Sequence, residues 1–344
     1  MKVYNFELDF DWELVNNISK LDRFDASWNS VEKREGQSLK QLKSIATVRS
    51  VGASTRIEGS KMSDAEVDIL LRNLSIDKLT EKDKQEVAGY FEALDIISES
   101  YNDIRVTENE IKNLHNILLK YSEKDQWHKG DYKQHSNNVE ANLADGTKQL
   151  IFETTPPGFE TDDAMRALFE WYNRDTQTHQ LVKSALFSYE FVSIHPFQDG
   201  NGRLSRLLAS LLLLRGGYKW IQYVSFEHEI ESRKPEYYRE LRSCQAQRPN
   251  ENVTTWIDFF FSALMNIQEQ LLAKLEQTGA TSKLSPREKS ILAFISDHAG
   301  CKSGDIAKNL DIPNPTVKRI LSDLLSLNLI ERHGAGPGTN YSLL

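Results

Sequence analysis

Residues 195–206 read His-Pro-Phe-Gln-Asp-Gly-Asn-Gly-Arg-Leu-Ser-Arg, and these residue types suit a reaction at a phosphate group. His195 can take a proton from a hydroxyl near neutral pH. Asp199 supplies a hard oxygen ligand, which Mg²⁺ prefers beside phosphates. A strongly apolar run follows directly, so the segment leads into a helix whose N-terminus favours anions. We therefore expect a site that holds a nucleoside triphosphate and deprotonates an attacking hydroxyl.

The same segment carries two glycines and two arginines that suit anion binding. Gly200 and Gly202 flank Asn201, so backbone N–H groups can approach phosphate oxygens without a Cβ in the way. Arg203 and Arg206 lie on one face at the start of the helix, where both can donate to an anion. Taken singly, each residue has an ordinary interpretation as a helix end, a turn or a solvated surface. Their combination in one short segment favours an active site.

The elements that must position this segment are predicted to be helices, with one hairpin. Apolar residues recur at helical spacing through most of the chain, and strand signals are few. Residues 177–193 and 203–215 are interpreted as helices on either side of the segment. Extended runs between residues 137 and 157, interrupted by Asp145-Gly146, indicate a short hairpin. The fold class expected from these patterns is mainly α.

The segment 195–206 resembles the signature of Fic-domain proteins, HxFx(D/E)GNGRxxR, with every specified position present. Residues 85–90 and Leu114-His115 are similar to upstream helices of that family, and residues 131–157 resemble its target-docking flap. The likeness covers the chain from about residue 50 to about residue 240. It implies a Fic-type helical bundle with a short β-hairpin flap. It also implies transfer of AMP from ATP to a side-chain hydroxyl of a protein.

The resemblance gives the residues of the segment individual roles. His195 would be the general base, and Asp199 would be the Mg²⁺ ligand. Asn201 and the neighbouring backbone amides would hold the α-phosphate of ATP. Arg203 and Arg206 would hold the β- and γ-phosphates. Because the Gly-Arg pair of the loop is intact, the resemblance favours adenylylation over phosphorylation.

Two further parts of the site also follow from the resemblance. The adenine pocket is expected on residues 225–238, with Ser232 as its candidate. The flap would dock a target segment by strand addition, through Leu150, Ile151, Phe152 and Glu153. The chain departs from the family in a longer, more polar flap and in Lys133, which stands where many relatives carry arginine. These departures bear on the identity of the target rather than on the chemistry.

An N-terminal stretch, Ser54-Thr55-Arg56-Ile57-Glu58-Gly59, resembles the inhibitory motif of the family, (S/T)xxxE(G/N). Ser54 and Glu58 are one helical turn apart on one face. A glutamate that reaches Arg206 would neutralise the charge meant for the γ-phosphate and leave ATP unsuited to in-line attack. A serine and a glutamate at this spacing also occur in many helices without any such role. Ser54, Thr55, Glu58 and Gly59 are the predicted inhibitory residues, and Glu58→Gly is expected to raise AMP transfer.

The C-terminal residues have the order of elements of a winged helix-turn-helix. Predicted helices at Pro286–His298, Ser303–Leu310 and Asn314–Leu327 precede two short extended runs around a Gly/Pro-rich tip. The candidates for DNA contact on the third helix are Thr316, Lys318 and Arg319. Eight Lys/Arg against six Asp/Glu give this part a net charge of about +2. Because that excess is small, docking of a protein or dimerisation stays open beside DNA binding.

The bulk composition sets the broad class of protein. A length of 344 residues favours two domains, and a net charge of −8 argues against a protein that mainly coats nucleic acid. Cys244 and Cys301 form no CxxC pair, which is typical of a reducing compartment. The N-terminus carries no secretory signal, and the apolar run at 207–214 is too short to span a bilayer. We expect a cytoplasmic protein with no membrane partner.

The predicted boundaries divide the chain into four parts. They are a helical region at 1–80 with the inhibitory helix at about 50–60, a catalytic core at 81–245 with the flap at about 137–157, a connecting helix and linker at 246–282, and a winged helix at 283–344. The linker is expected at Gly279-Ala280-Thr281-Ser282.

Three functions stay open at this point. The first is an autoinhibited adenylyltransferase that uses ATP and Mg²⁺ and modifies a Ser, Thr or Tyr hydroxyl of a target protein or of itself. The second is removal of AMP by the same site. The third is a DNA-binding regulator whose Fic-like domain senses a nucleotide. A homodimer is among the assemblies that the sequence allows.

Overall fold

Helices form most of the first of two units, residues 1–268 and 269–344. The structure is a computed structural model and describes residues 2–74, 79–142, 147–282, 284–327, 329–334 and 336–343. The helices up to the unit boundary are α1 Trp12–Arg34, α2 Gly36–Ile57, α3 Asp64–Arg72, α4 Lys82–Ser100, α5 Glu108–Leu118, α6 Phe159–Arg174, α7 Gln180–Ile194, α8 Asn201–Arg215, α9 Phe226–Ser232 and α10 Lys234–Gln245, followed by α11 Thr254–Ser282, which runs past it. Short strands β1 Lys2–Val3 and β2 Phe6–Glu7 pair antiparallel at the N-terminus.

Helices α7 and α8 form the centre of the first unit. Every residue of α7 from Leu181 to Ile194 is buried, and α8 is buried almost throughout. Apolar residues occur on every side of both helices, which is the pattern of a helix surrounded by protein. The two helices pack on each other and are joined by residues 195–200. The predicted active-site segment therefore connects the two most deeply buried helices of the unit.

Helix α2 packs against α4, α9 and α3. Glu58, which directly follows its last residue, accepts a hydrogen bond from Arg206 of α8. The hydroxyl of Ser50 donates to that of Ser225 at 2.9 Å and ties the middle of α2 to the start of α9. Helix α2 ends at Ile57, so the predicted inhibitory stretch forms its last turn and the residues just after it.

The predicted hairpin is present between α5 and α6. Strands β3 Val139–Asn142 and β4 Lys148–Phe152 pair antiparallel, and the register is irregular between Val139 and Glu140. Asp145-Gly146, the pair that predicted the turn, lies outside the described residues. The mainly α fold with a short hairpin is confirmed.

The second unit has the elements of a winged helix. Its helices are α12 Pro286–Asp297, α13 Ser303–Leu310 and α14 Asn314–Ser326, and strands β5 Ile330–His333 and β6 Asn340–Leu343 pair antiparallel. Ile291, Ile306, Val317, Leu324 and Ile330 are buried in one core that joins the helices to the sheet. The predicted winged helix-turn-helix is confirmed as a fold.

Helix α11 differs from the sequence-based expectation at its end. It continues through Ser282, so the stretch Gly279-Ala280-Thr281-Ser282 is helical where a linker was expected. One glycine costs a helix only about 1 kcal/mol relative to alanine, which the good helix formers before it can offset. No helix within the described ranges is long and apolar enough to cross a membrane.

Candidate active site

His195 ends α7 in an unusual backbone conformation. It lies in the left-handed region with φ 55° and ψ 56°, directly before Pro196, whose ring disfavours continuation of the helix. Its backbone N–H donates to Phe191 O at 3.1 Å, and its Nδ1 lies 3.0 Å from the carbonyl oxygen of Val192. A carbonyl only accepts, so Nδ1 carries the proton and Nε2 offers a lone pair. Burial lowers the pKa of His195, so the ring is neutral and can act as a base.

Asn201 braces the loop that follows His195. Its side chain accepts from Phe197 N–H at 2.9 Å and donates to Phe197 O at 2.7 Å. Both ends of the amide are thus used inside the protein, and Asn201 is 2% exposed. Its predicted contact with a phosphate therefore depends on its backbone N–H, which lies in the first turn of α8 and lacks a helical acceptor.

His115 holds the same loop from the opposite side, a role that the sequence did not reveal. Its ring stacks on Phe197 with centroids 3.8 Å apart. Nδ1 accepts from Gly130 N–H at 2.9 Å, so Nε2 carries the proton and donates to Asp199 O at 2.9 Å. Burial lowers the pKa of His115 to about 4, which keeps this donor and acceptor pattern fixed at neutral pH.

Asp199 is an ionised carboxylate at the mouth of the site. Its side chain is 40% exposed, and its oxygens lie 2.8 Å from Lys124 Nζ and 3.5 Å from Arg203 Nη2. Burial opposes ionisation, but Arg203 and Lys124 outweigh it and lower the pKa of Asp199 to about 2. Its backbone leads into Gly200, whose φ of +80° is a conformation that glycine adopts without strain.

Arg203 is a buried guanidinium with free donors. It is 2% exposed, and its Nε and Nη1 have no hydrogen-bond partner among the described residues. Its nearest carboxylate oxygens, those of Glu86 and Asp199, are both 3.5 Å away, beyond a good hydrogen bond. A buried cation with unmet donors is costly unless a ligand completes it. Arg203 therefore suits an incoming anion.

Arg206, in contrast, is bound by α2 through its Nε and Nη2. Its Nε donates to Ser54 Oγ at 2.9 Å, and its Nη2 donates to Ser54 O at 3.0 Å and to Glu58 Oε1 at 2.8 Å. Burial raises the pKa of Glu58, but Arg206 and Arg203 outweigh it, so the net shift is downward and the carboxylate stays ionised. Burial favours the neutral form of Arg206, yet Glu58 reverses this and its pKa is raised.

Gly202 shows how closely Glu58 approaches the start of α8. A Cβ placed on Gly202 would lie 2.5 Å from Glu58 Oε1, which no real Cβ contact allows. The carboxylate therefore sits against the first turn of α8, where the positive end of the helix dipole favours an anion. The other two predicted inhibitory residues do not reach this point. The hydroxyl of Thr55 donates to carbonyls of its own helix, and Gly59 follows the helix end.

One cavity of about 290 Å³ collects most of the predicted site residues. Described residues that line it include Glu58, His195, Asp199, Gly200, Asn201, Gly202, Arg203 and Arg206, together with Ile151 and Phe152 of the flap. Leu150 is 54% exposed and Glu153 is also exposed. The hairpin thus stands at the mouth of the cavity that contains the base.

Helix α10 also lines the cavity and contributes two tyrosines to it. Tyr237, Tyr238 and Leu241 line it, whereas Ser232 is not among the described lining residues. The Ser232 hydroxyl donates to Glu229 O at 2.8 Å, within its own helix. The apolar period of α10 places Tyr237, Leu241 and Cys244 inward, so this signal could have identified this lining.

The predicted DNA contacts lie on α14 in the second unit. Lys318 and Arg319 are exposed, and Thr316 is half-buried. Arg319 Nη1 lies 3.1 Å from Asp323 Oδ2, one turn further along the same helix. Two cationic side chains of this helix are therefore presented to solvent.

Comparison with known proteins gives two family matches. Residues 105–213 match the Fic/DOC family, and residues 284–331 match a family described as winged helix-turn-helix DNA-binding. Among curated relatives, "Protein adenylyltransferase Fic" of Culex quinquefasciatus is 30% identical over 187 residues, which are 52% of this chain and 34% of that protein. The protein of the same name from Drosophila willistoni is 27% identical over 205 residues, 58% of this chain and 38% of that protein. The chain thus spans well under half the length of these relatives.

Solved structures extend the likeness of fold. A Fic family protein from Desulfovibrio desulfuricans G20 matches 98% of this chain and 97% of its own, with a TM-score of 0.64 and 23% identity. Fic-1 from C. elegans matches 77% of this chain and 73% of its own, with a TM-score of 0.56 and 18% identity. The matched range 105–213 contains His195, Asp199, Arg203 and Arg206 in the arrangement described above. The chain therefore carries a domain of the Fic/DOC family at residues 105–213, followed by a winged helix-turn-helix at its carboxyl end.

Proposed function

We propose that this chain is an autoinhibited protein adenylyltransferase, which transfers AMP from ATP to a hydroxyl side chain of a protein and releases pyrophosphate. The observation that carries the proposal is one cavity in which three features meet. They are a neutral His195 whose Nε2 offers a lone pair, the first turn of α8, and Arg203, two of whose nitrogens lack a hydrogen-bond partner in the described part of the chain. Relatives named "Protein adenylyltransferase Fic" support the reaction class.

In this reaction the hydroxyl oxygen of the target forms a bond to the α-phosphorus of ATP. The bond from that phosphorus to the bridging oxygen breaks, and pyrophosphate leaves with the electron pair. His195 Nε2 accepts the hydroxyl proton, a contribution of about 10²–10⁴ in rate. Backbone N–H groups at Asn201 and Gly202 stabilise the α-phosphate oxygens, and Arg203 donates to the departing phosphates.

Asp199 fits the role of a Mg²⁺ ligand. Among the described residues no group of three or more His, Cys, Asp or Glu side chains could hold a metal by itself. Mg²⁺ is usually bound through one or two carboxylates together with waters and substrate phosphates, so a single ionised and half-exposed carboxylate suits it. When bound, Mg²⁺ would neutralise negative charge that develops on the leaving pyrophosphate.

Glu58 supports the autoinhibitory part of the proposal. Its carboxylate pairs with Arg206 at 2.8 Å and lies against Gly202, so it takes the place that a terminal phosphate would need. A bound ATP would keep Arg203 but lose Arg206, which leaves its phosphate chain misplaced for in-line attack. Removal of the carboxylate would release Arg206 for ATP.

The end of α2 is fastened in a way that supports this inhibition. Arg56 Nε and Nη2 donate to the two carboxylate oxygens of Glu231 at 2.6 and 2.9 Å, and Arg56 Nη1 donates to Asp64 at 2.9 Å. Lys234 Nζ donates to Ile57 O at 2.8 Å, next to Glu58. These contacts, called here the Arg56 latch, hold the last turn of α2 against α3, α9 and α10.

The hairpin supports docking of the target by strand addition. Ile151 and Phe152 line the cavity, and Leu150 and Glu153 beside them are exposed. Backbone pairing of an extended target segment would set its register, and side-chain pockets would add little sequence preference. Self-modification of a segment of this chain is part of the same proposal.

Two further activities have support in particular observations. Because Glu58 shares the cavity with His195, it could orient a water for removal of AMP from a modified protein. Exposed Lys318 and Arg319 on α14, together with the match to a family described as DNA-binding, support contact with DNA. Each activity requires its own assay.

The test uses ATP labelled at different phosphates. The full chain with Glu58→Gly is incubated with α-³²P-ATP or γ-³²P-ATP, Mg²⁺ and a cell lysate, and labelled bands are identified by mass spectrometry. We expect label from the α-phosphate only, and a loss of about a hundredfold or more in the added presence of His195→Ala. Label from the γ-phosphate, or label that persists without His195, would contradict AMP transfer. A salt-sensitive gel shift without any labelling would favour the regulator.

A further inference from the structure

Lys133 is a buried lysine beside the catalytic turn, and the reaction proposed above does not use it. It is 3% exposed, yet no carboxylate pairs with it in the described part of the chain. Its Nζ instead donates to Asn137 Oδ1 at 2.8 Å, to Thr154 Oγ1 at 3.0 Å and to Ile194 O at 3.1 Å. An ammonium has three donors, so this set satisfies it completely.

The three acceptors belong to two different parts of the site. Asn137 stands two residues before β3, and Thr154 stands two residues after β4, so together they form the base of the hairpin. Ile194 is the last residue of α7 and precedes His195. The Thr154 hydroxyl also donates to Asn137 Oδ1 at 2.8 Å, so both ends of the hairpin converge on the ammonium of Lys133.

The same network holds the carbonyls around the base. Asn137 Nδ2 donates to His195 O at 3.0 Å and to Phe197 O at 2.6 Å, and Lys133 N–H donates to Pro196 O at 2.8 Å. With Ile194 O, four successive carbonyls are bound by two residues. A non-glycine residue with φ near +55° costs about 1–3 kcal/mol and persists only where its surroundings fix it. These bonds supply that restraint.

We infer that Lys133 is a positioning residue, which fixes the distance and register between the target-docking hairpin and the base His195. The inference rests on the proposed function, because it assigns to Lys133 the alignment of the target hydroxyl with Nε2. A target strand that pairs with the hairpin is carried on Asn137 and Thr154, and the ammonium ties both to the carbonyl of Ile194, directly before the base. A shift of about 1 Å in such an alignment can cost about a hundredfold in rate.

Lys133 has a second, electrostatic consequence for the base. The charged groups that act on His195 are Lys133, which lowers its pKa, and Glu58 and Asp199, which raise it. Burial lowers the pKa of Lys133 itself to about 8, so the ammonium is still charged at neutral pH. Loss of this charge therefore raises the pKa of His195, a change that a purely structural role would not produce.

The test places Lys133→Met, Lys133→Arg and Thr154→Val in the full chain with Glu58→Gly. Lys129→Met is the matched control, since Lys129 lies on the same segment and donates to Gln126 at the surface. Labelling from α-³²P-ATP is measured beside ATP affinity by calorimetry, amide exchange of residues 148–154 and 192–200, and NMR titration of the His195 ring. The ring signal is assigned by its absence in His195→Gln.

We expect Lys133→Met to lower labelling by about tenfold or more while ATP affinity changes by less than about threefold. Amide exchange should accelerate in both segments, the His195 pKa should rise, and Lys133→Arg should recover much of the activity. Labelling, exchange and titration equal to those of Lys129→Met would overturn the inference. If Lys133→Met does not fold, Thr154→Val decides, because it removes the bond between the ammonium and the β4 end of the hairpin at nearly constant size. If Glu58→Gly itself shows no labelling, the proposed function fails, while amide exchange and the His195 titration still test Lys133.

Discussion

Two helices of this protein carry basic residues near their start, and the residues differ in their surroundings. In α8, Arg203 and Arg206 are each 2% exposed, and Arg203 has donors without partners among the described atoms. In α14, Lys318 and Arg319 are exposed, and Arg319 pairs with Asp323 of its own helix. The two sequences are similar in this respect, since each helix directly follows a glycine or a proline and has two basic residues within its first two turns.

The difference in burial between these cations indicates which helix gains more from a bound anion. A guanidinium that is buried with unmet donors carries a desolvation cost, which a bound anion would offset, so Arg203 favours a ligand with strict geometry. Exposed cations are already hydrated and screened by salt, so they favour a partner weakly and without strict geometry. Removal of a cation should therefore cause a large loss of transfer activity at α8 and only a small loss of binding at α14.

The largest expected effect is at Arg203. Arg203→Met removes a buried guanidinium whose Nε and Nη1 have no hydrogen-bond partner among the described residues. Transfer in the Glu58→Gly chain should therefore fall by about tenfold to a hundredfold, the value of charge-assisted bonds to phosphate. Arg239→Met is the control, because Arg239 is exposed on α10 and pairs with neighbouring glutamates. Initial rates with α-³²P-ATP and melting temperatures are measured for both. Full activity of Arg203→Met would mean that its open donors do not mark the anion site.

The second effect concerns the contacts that hold Glu58 next to Arg206. Arg56→Met removes the Arg56 bonds of the latch and loosens the end of α2, so transfer by the otherwise unaltered chain should rise by about threefold to tenfold. The rise should be smaller than that of Glu58→Gly, because the Glu58–Arg206 pair remains. Arg49→Met, two turns earlier in α2, lacks these contacts and serves as the control. A rise in Arg49→Met as large as in Arg56→Met would show that the latch is not the cause.

The third effect is the pH dependence of transfer. The base must be neutral, and burial lowers the pKa of His195 below its ordinary value of 6.5. The rate should therefore hold from neutral pH down to pH 6.5 and fall only as pH drops through the lowered pKa. The negative charge of Glu58 raises the pKa of His195. Its loss should therefore move the decline in rate to a still lower pH. A pH–rate profile of Glu58→Gly whose acid limb lies above pH 6.5 would contradict the assignment of His195 as a buried base.

The smallest effect is expected at α14. If the winged helix contacts DNA, Lys318→Ala should weaken binding at all sequences and reduce the slope of log affinity against log salt by about 1. Lys289→Ala on α12 is the control. Gel shifts over a range of salt concentrations measure both variants. An unchanged slope in Lys318→Ala would remove α14 from the contact surface and favour a protein-docking role for this unit.

Local sequence patterns were enough to predict much of the fold. Helix α13 has the bounds predicted for it, Ser303–Leu310, because a polar start and a following Pro313 delimit it. The hairpin follows from two extended runs, and its strands β3 and β4 lie inside the predicted range 137–157. In each case a short-range signal, such as a breaker or an apolar period, decides the structure.

The rest depends on contacts between distant residues. Asn201 was expected to contact phosphate, but its side chain braces Phe197 instead. Nothing local to His115 or Lys133 reveals that one holds Asp199 O and the other holds Ile194 O. The pairing of Glu58 with Arg206 spans 148 positions and was suggested by resemblance alone. Such contacts are set by how the helices pack, which a single sequence does not display.

The central claim is that Glu58 occupies the anion site at the start of α8 and thereby holds the enzyme inactive. The most direct measurement compares the initial rate of label transfer from α-³²P-ATP by the wild-type chain and by Glu58→Gly at equal ATP and Mg²⁺. The account predicts a rate at least about tenfold higher for Glu58→Gly, since release of this partly buried ion pair is expected to be worth about 1.4 kcal/mol. Equal rates in the two proteins would contradict it.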